Sequence, residues 1–126
     1  MTENEIATAV VDAAFKIHTT LGPGLFESVY EAALEYELQK RSLRVVHQVG
    51  LPVHYEEVKL ELGFRVDLIV GEKVIVEIKS VEALAPIHKK QLLTYLRLTD
   101  LRLGLLINFN VELIKYEIQR VVNKLV

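Results

Sequence analysis

The stretch RVDLIVGEKVIVEIK, residues 65–79, holds two apolar runs on either side of Gly71-Glu72-Lys73. Val66, Leu68 and Val70 alternate with charged or apolar neighbours, and so do Val74, Val76 and Ile78. A period of two reads as a pair of β-strands. If the runs form a hairpin, directly opposite residues share a face of the sheet. Both apolar sets must lie on that face, so the residue numbers of partners must sum to an even value. A three-residue loop at Gly71 to Lys73 pairs Val70 with Val74, and the sum is then 144. That register sets Asp67 directly across from Glu77, with Lys79 on the same face opposite Arg65.

Upstream, the alternation continues through Val58, Leu60, Leu62 and Phe64, with Lys59, Glu61, Gly63, Arg65 and Asp67 on the other face. From Arg44, the residues Val45, Val49, Leu51, Val53 and Tyr55 alternate with polar or small ones. Pro52 within that run marks an edge strand or a bulge. Before it the period changes. Ile6, Val10, Ala13, Ile17 and Leu21 form a helical stripe, with Thr2 and Glu5 at capping-box spacing and LGPG, Leu21 to Gly24, as its stop. A second helix is predicted over Phe26 to Arg41, with Tyr30, Ala33, Leu34 and Leu38 facing the core.

Downstream, Pro86 suits the first turn of a helix running to Leu98. LGLLINF, Leu103 to Phe109, is a continuous apolar run of the kind buried on both faces of a sheet. A helical crossover implies that it runs parallel to Val74–Ser80. The tail from Val111 fits either a helix, with Ile114, Ile118, Val121 and Leu125 inward, or a short strand over Leu113 to Ile118. The fold class is α/β: a mixed central sheet with an antiparallel hairpin and a βαβ crossover, flanked by helices.

The chain of 126 residues fits one domain, spanning 1–126, able to bury a core without staples. There is no cysteine, which excludes disulfides and thiolate metal sites and accords with a cytoplasmic setting. The N-terminus lacks the basic-then-apolar order of a signal peptide, and no apolar run is long enough to span a bilayer. With 15 basic and 17 acidic residues the formal charge is −2, so binding nucleic acid would need a local basic patch. Lys89, Lys90 and Arg97 are candidates for one; as a group they also suit a solvated helix face.

Like charges directly opposite destabilise a sheet. Two readings explain Asp67 and Glu77. In one, a divalent cation offsets them, since carboxylate oxygens and water are what Mg²⁺ takes, and Lys79 acts on water or on developing charge. In the other, Lys79 neutralises both acids in a solvated network.

Asp67, nine residues, then Glu77-Ile78-Lys79 resembles the D…ExK signature of the PD-(D/E)XK nuclease superfamily. GLFESVY, Gly24 to Tyr30, is a GxxExxY motif, and the chain is similar over nearly its full length to the bacterial and archaeal family named for it. The similarity includes KIHTTLGPGLFESVYEAALEYEL, RVDLIV, VIVEIKSVE, HKKQLLTYLRL and LGLLINFN in that order. The resemblance implies a nuclease-like core and Mg²⁺- or Mn²⁺-dependent hydrolysis of phosphodiester bonds in DNA or RNA. It implies Asp67 and Glu77 as metal carboxylates, the Ile78 carbonyl as a further ligand, and Lys79 as the ExK lysine. Glu27 matches an acidic residue supplied from the first core helix, and Gln91 and Tyr95 match a QxxxY pattern. Val66 stands where the motif name has proline.

The rival expectation is a catalytically silent nuclease-fold module that binds nucleic acid or a protein partner, which the net charge favours. A domain of this size cannot embrace a duplex, which suggests a homodimer. Glu27 also suits a helix start through the macrodipole. His88, Gln91 and Tyr95 form one helical stripe that packing alone would explain. Tyr30 is expected beneath the site, donating its hydroxyl to a carboxylate. His18 is expected to bond to the turn after the first helix. His47 and His54 belong to no metal-ligand spacing.

Overall fold

The computed structural model describes residues 1–125, and the side chain of Leu62 also lies outside the description. Helix α1 spans Glu3–Leu21 and begins with the expected capping box: Thr2 Oγ1 accepts from the Glu5 N–H at 3.2 Å, and the Thr2 N–H donates to Glu5 Oε1 at 2.9 Å. Helix α2 spans Glu27–Lys40. Strands β1, β2 and β3 cover Val45–Tyr55, Val58–Val70 and Val74–Lys79. Helix α3 is Pro86–Thr99, followed by β4, Leu103–Asn108, and β5, Ile118–Val122.

Among the described residues the sheet has five strands in the order β1-β2-β3-β4-β5. Only β3 and β4 are parallel, and α3 connects them, as a helical crossover requires. The hairpin register is the predicted one: Val70 pairs with Val74, Ile69 with Ile75 and Leu68 with Val76. β4 is buried along its whole length, because helices cover both sheet faces. Val10, Leu34, Leu38, Leu68, Val76 and Phe109 pack on the α1/α2 side. Ile75, Leu92, Leu96, Leu106 and Val121 pack on the α3 side.

Three expectations are corrected. Val66 does not share a core with Leu68; it packs on the α3 side with Ile75 and Leu92. The alternation breaks at Asp67, where the facing β1 residue, Gln48, takes φ 50° and drops out of the ladder between Val49–Val66 and His47–Leu68. The regular β2–β3 ladder ends at Leu68–Val76, so Arg65 and Lys79 are not paired. The tail is neither the predicted helix nor a strand over 113–118. It makes a short 3₁₀ turn at Ile114–Tyr116 and then β5, which covers β4. Pro52 meets both of its expected settings, since β1 is an edge strand with an irregularity between Leu51 and Val53.

Candidate functional site

Where β2 and β3 part, their amides lose carbonyl partners while still buried, and an unpaired buried amide is costly. The two carboxylates supply the missing acceptors. The Asp67 N–H donates to Glu77 Oε2 at 2.7 Å, and the Ile78 N–H donates to Asp67 Oδ2 at 2.7 Å. Each strand's acid thus closes a bond on the other strand's backbone. Glu77 is only 6% exposed, so these are not solvated surface charges.

Burial disfavours charge on both groups, and each also feels a neighbouring carboxylate. Glu77 is pushed up to about 8, first by burial and then by Asp67. Asp67 is raised by burial, against the Ile78 amide and the Lys79 ammonium, which pull it down. Lys79 ends β3, half-buried, and its charge acts on both acids. Burial raises the Tyr95 hydroxyl, and the charges of Glu77 and Asp67 raise it further.

Helix α2 brings in more acid from the opposite side. The Ser80 N–H donates to Glu27 Oε1 at 3.3 Å, and Ser80 Oγ donates to the Leu25 carbonyl at 2.6 Å, tying the helix start to the end of β3. Glu27, Ser28, Glu31, Gln48, Asp67 and Ile78 line a cavity of about 210 Å³. Glu77 and Lys79 are not part of that lining, so only part of the expected set shares one concavity. Among the described residues no three His, Asp or Glu side chains stand together as a ready-made metal cage.

The GxxExxY residues divide their work. Gly24 takes φ 98°, a left-handed conformation that side chains disfavour. Tyr30 is fully buried and stacked on Phe109, with ring centroids 4.5 Å apart. Its hydroxyl donates to the Gly22 carbonyl at 2.6 Å and accepts from the Leu25 N–H at 3.2 Å. Contrary to expectation it touches no carboxylate; it fastens the loop that presents Glu27. His18 is likewise corrected: its Nε2 bonds to the Val111 carbonyl at 2.6 Å, after β4, not to the turn after its own helix.

Of the QxxxY pair, Tyr95 is buried against Phe64, with centroids 5.1 Å apart, whereas Gln91 is exposed and outside the cavity lining. His88 Nδ1 accepts from the Ala85 N–H at 3.1 Å, a helix-start contact. His47 bonds to Glu35 at 2.8 Å, and that carboxylate raises its pKa. Two positioning residues escaped the sequence reading. Gln48 Nε2 donates to Glu31 Oε1 at 2.6 Å and reaches Asp67 Oδ1 at 3.4 Å. Asn108, fully buried, bonds to both backbone groups of Val81 at 3.0–3.1 Å and fixes the chain leaving β3. Its signal was an amide inside the apolar run LGLLINF. Gln48 gave no signal, because nothing in the pattern announces a left-handed residue mid-strand.

The fold matches the crystal structure titled "Crystal structure of SSO0001" with a TM-score of 0.59 and 22% sequence identity. The alignment covers 98% of this chain but 59% of that one, so this chain spans well under two-thirds of the longer protein. No curated protein matches the sequence. The sequence profile of the PD-(D/E)XK nuclease superfamily matches residues 4–121. A match over nearly the whole chain, on a mixed sheet that sets Asp67 and Glu77 at the fork of its hairpin, makes the chain a member of the PD-(D/E)XK nuclease superfamily.

Proposed function

We propose that the chain is a metal-dependent nuclease that hydrolyses phosphodiester bonds of DNA or RNA. The observation that carries this reading is the reciprocal Asp67–Glu77 arrangement, a buried and a half-buried acid with raised pKa values beside an ammonium. Enclosed charge of one sign is expensive without a partner, and with Glu27, Glu31 and Asp67 around one cavity Lys79 alone leaves an excess even while Glu77 keeps its proton. The donors are all oxygen, which fits a hard cation such as Mg²⁺ or Mn²⁺. Asp67, Glu77 and the Ile78 carbonyl would hold the ion, with Glu27 contributing from the helix start. When bound, such an ion supplies Lewis acidity at a phosphate oxygen and a more acidic water.

The protein's own residues do the rest. The Ile78 and Asp67 amides fix one oxygen of each acid and thereby orient the other. Gln48 holds Asp67 and Glu31 on one side of the cavity, and the Ser80 tie keeps Glu27 facing them. Lys79 places positive charge where negative charge develops, and Tyr95 packs on Phe64 on the α3 side. The similarity to the GxxExxY family supports the same assignment of Glu27.

A silent binding module has support too: each acid already completes a backbone bond, so the pair has a structural use without chemistry. Cleavage of single-stranded, duplex and branched DNA and RNA with Mn²⁺ present separates the two. The wild type is expected to cut at least one substrate. Lys79→Ala should keep fold and metal affinity yet lose on the order of 10²-fold in rate. Tight binding without cleavage by the wild type would establish the silent module.

A further inference from the structure

Ten of the thirteen residues of β2 lie outside its regular ladder with β3. The outer part pairs only with β1, the edge of the sheet, and so forms a two-stranded arm. On one face of the arm Val53 stands across from Leu60 and Tyr55 across from Val58; His54 and Lys59 pair on the other. Tyr55, Val58 and Leu60 are 66%, 56% and 47% exposed. The arm is a built feature rather than a frayed end. It bends at the irregularity beside Pro52, and a Cβ on Gly63 would stand 2.4 Å from Val53 Cγ2 and 2.8 Å from the Leu51 carbonyl. A two-stranded ribbon is marginal in water by itself, and an apolar face on one calls for a cover.

The charges select the cover. Lys59 pairs with Glu61 along the arm, 3.6 Å apart, which leaves Glu56 and Glu57 at the tip without an ion pair among the described residues. Such a rim repels phosphates. The matching surface is on this same chain. Helix α3 contains no Asp or Glu, and its exposed side has Ile87 and Leu98 on one face, three turns apart. Lys90 and Arg97 border that face, exposed and without ion pairs among the described residues. We propose that two copies of the chain form a two-fold dimer in which each arm lays Tyr55, Val58 and Leu60 across the other copy's α3, with Glu56 and Glu57 against Lys90 and Arg97. The two contacts are equivalent, so the assembly closes without growing further. This inference is independent of the nuclease reading.

Sedimentation velocity of the whole chain at tens of micromolar tests it. The wild type should sediment as a dimer, and Tyr55→Ser combined with Leu60→Ser as a monomer with unchanged circular dichroism. Glu57→Lys, on an exposed position that folding tolerates, should weaken the dimer about tenfold, and adding Lys90→Glu should restore it. A monomeric wild type, a dimer indifferent to the arm changes, or a second substitution that weakens association further would overturn the proposal. So would a wild type that shifts only when DNA is added, which would give the arm to nucleic acid.

Discussion

Leu68–Val76 and Asp67–Glu77 are neighbouring positions on the same two strands, yet they are held in opposite ways. At the first, backbone pairs with backbone and the side chains are apolar and fully buried. At the second, the ladder has stopped and carboxylates do the pairing. One residue step separates a segment stabilised by packing from one where enclosed acids are held by backbone donors. The hairpin up to Val76 is scaffold. Beyond it the same strands carry the acids of the proposed site, and the inner pairs hold those strands in register.

The largest loss is expected in the scaffold. Leu68→Ala removes a fully buried side chain and should cost about 2–5 kcal/mol in urea unfolding. A metal-induced rise in melting temperature should survive wherever that variant stays folded. At the fork, Asp67→Ala orphans the Ile78 amide and should destabilise by about 1–3 kcal/mol. Asp67→Asn keeps an acceptor oxygen and drops the charge. It should instead stabilise the metal-free protein by about 0.2–1 kcal/mol, the scale of a cross-strand pair. Mg²⁺ or Mn²⁺ should raise the melting temperature of the wild type but not of this variant. Opposite signs for Ala and Asn would establish that the acid is kept against a stability cost.

The fork also predicts a pH dependence. Glu77 holds its proton up to about 8 in the folded state, against an ordinary value of 4.5. Between those values the native state binds more protons than the unfolded one, so metal-free stability should fall as pH rises through that window. His47, raised by Glu35, adds a slope of the same sign. Glu77→Gln, which keeps the acceptor for the Asp67 amide, should flatten the Glu77 part and leave the His47 part. Urea midpoints at pH 5 and pH 8 measure it, and identical slopes in both proteins would remove Glu77 as the cause.

Much of this was legible because alternation is a strict constraint. Two apolar sets of period two admit only an even register, and the ladder from Val70–Val74 to Leu68–Val76 keeps it; Asp67 and Glu77 come next, bonded to each other's strands through their carboxylates. The parallel β3–β4 pair followed from a helix-length crossover. What the pattern hid were contacts whose logic is not periodic. The Tyr30 hydroxyl serves two backbone groups in a loop, where a carboxylate had been expected. Gln48 leaves the ladder through a single positive φ, and with it Val66 changes core. The tail carries apolar residues that satisfy helix and strand spacing alike, and β4 decided the matter by offering an open edge.

The Ser80 tie to Glu27 has a consequence for how the molecule assembles. It joins positions 53 apart in the chain, whereas the hairpin that holds Asp67 and Glu77 closes over a three-residue loop. Closing the longer loop costs more chain entropy, so the hairpin is expected to form first and the helix to arrive later. A nascent or partly opened chain is therefore expected to bring its two hairpin acids together before Glu27 reaches them. Any activity that needs Glu27 stays silent until folding is complete, and the Ser80 amide should exchange with solvent far sooner than that of Ile75.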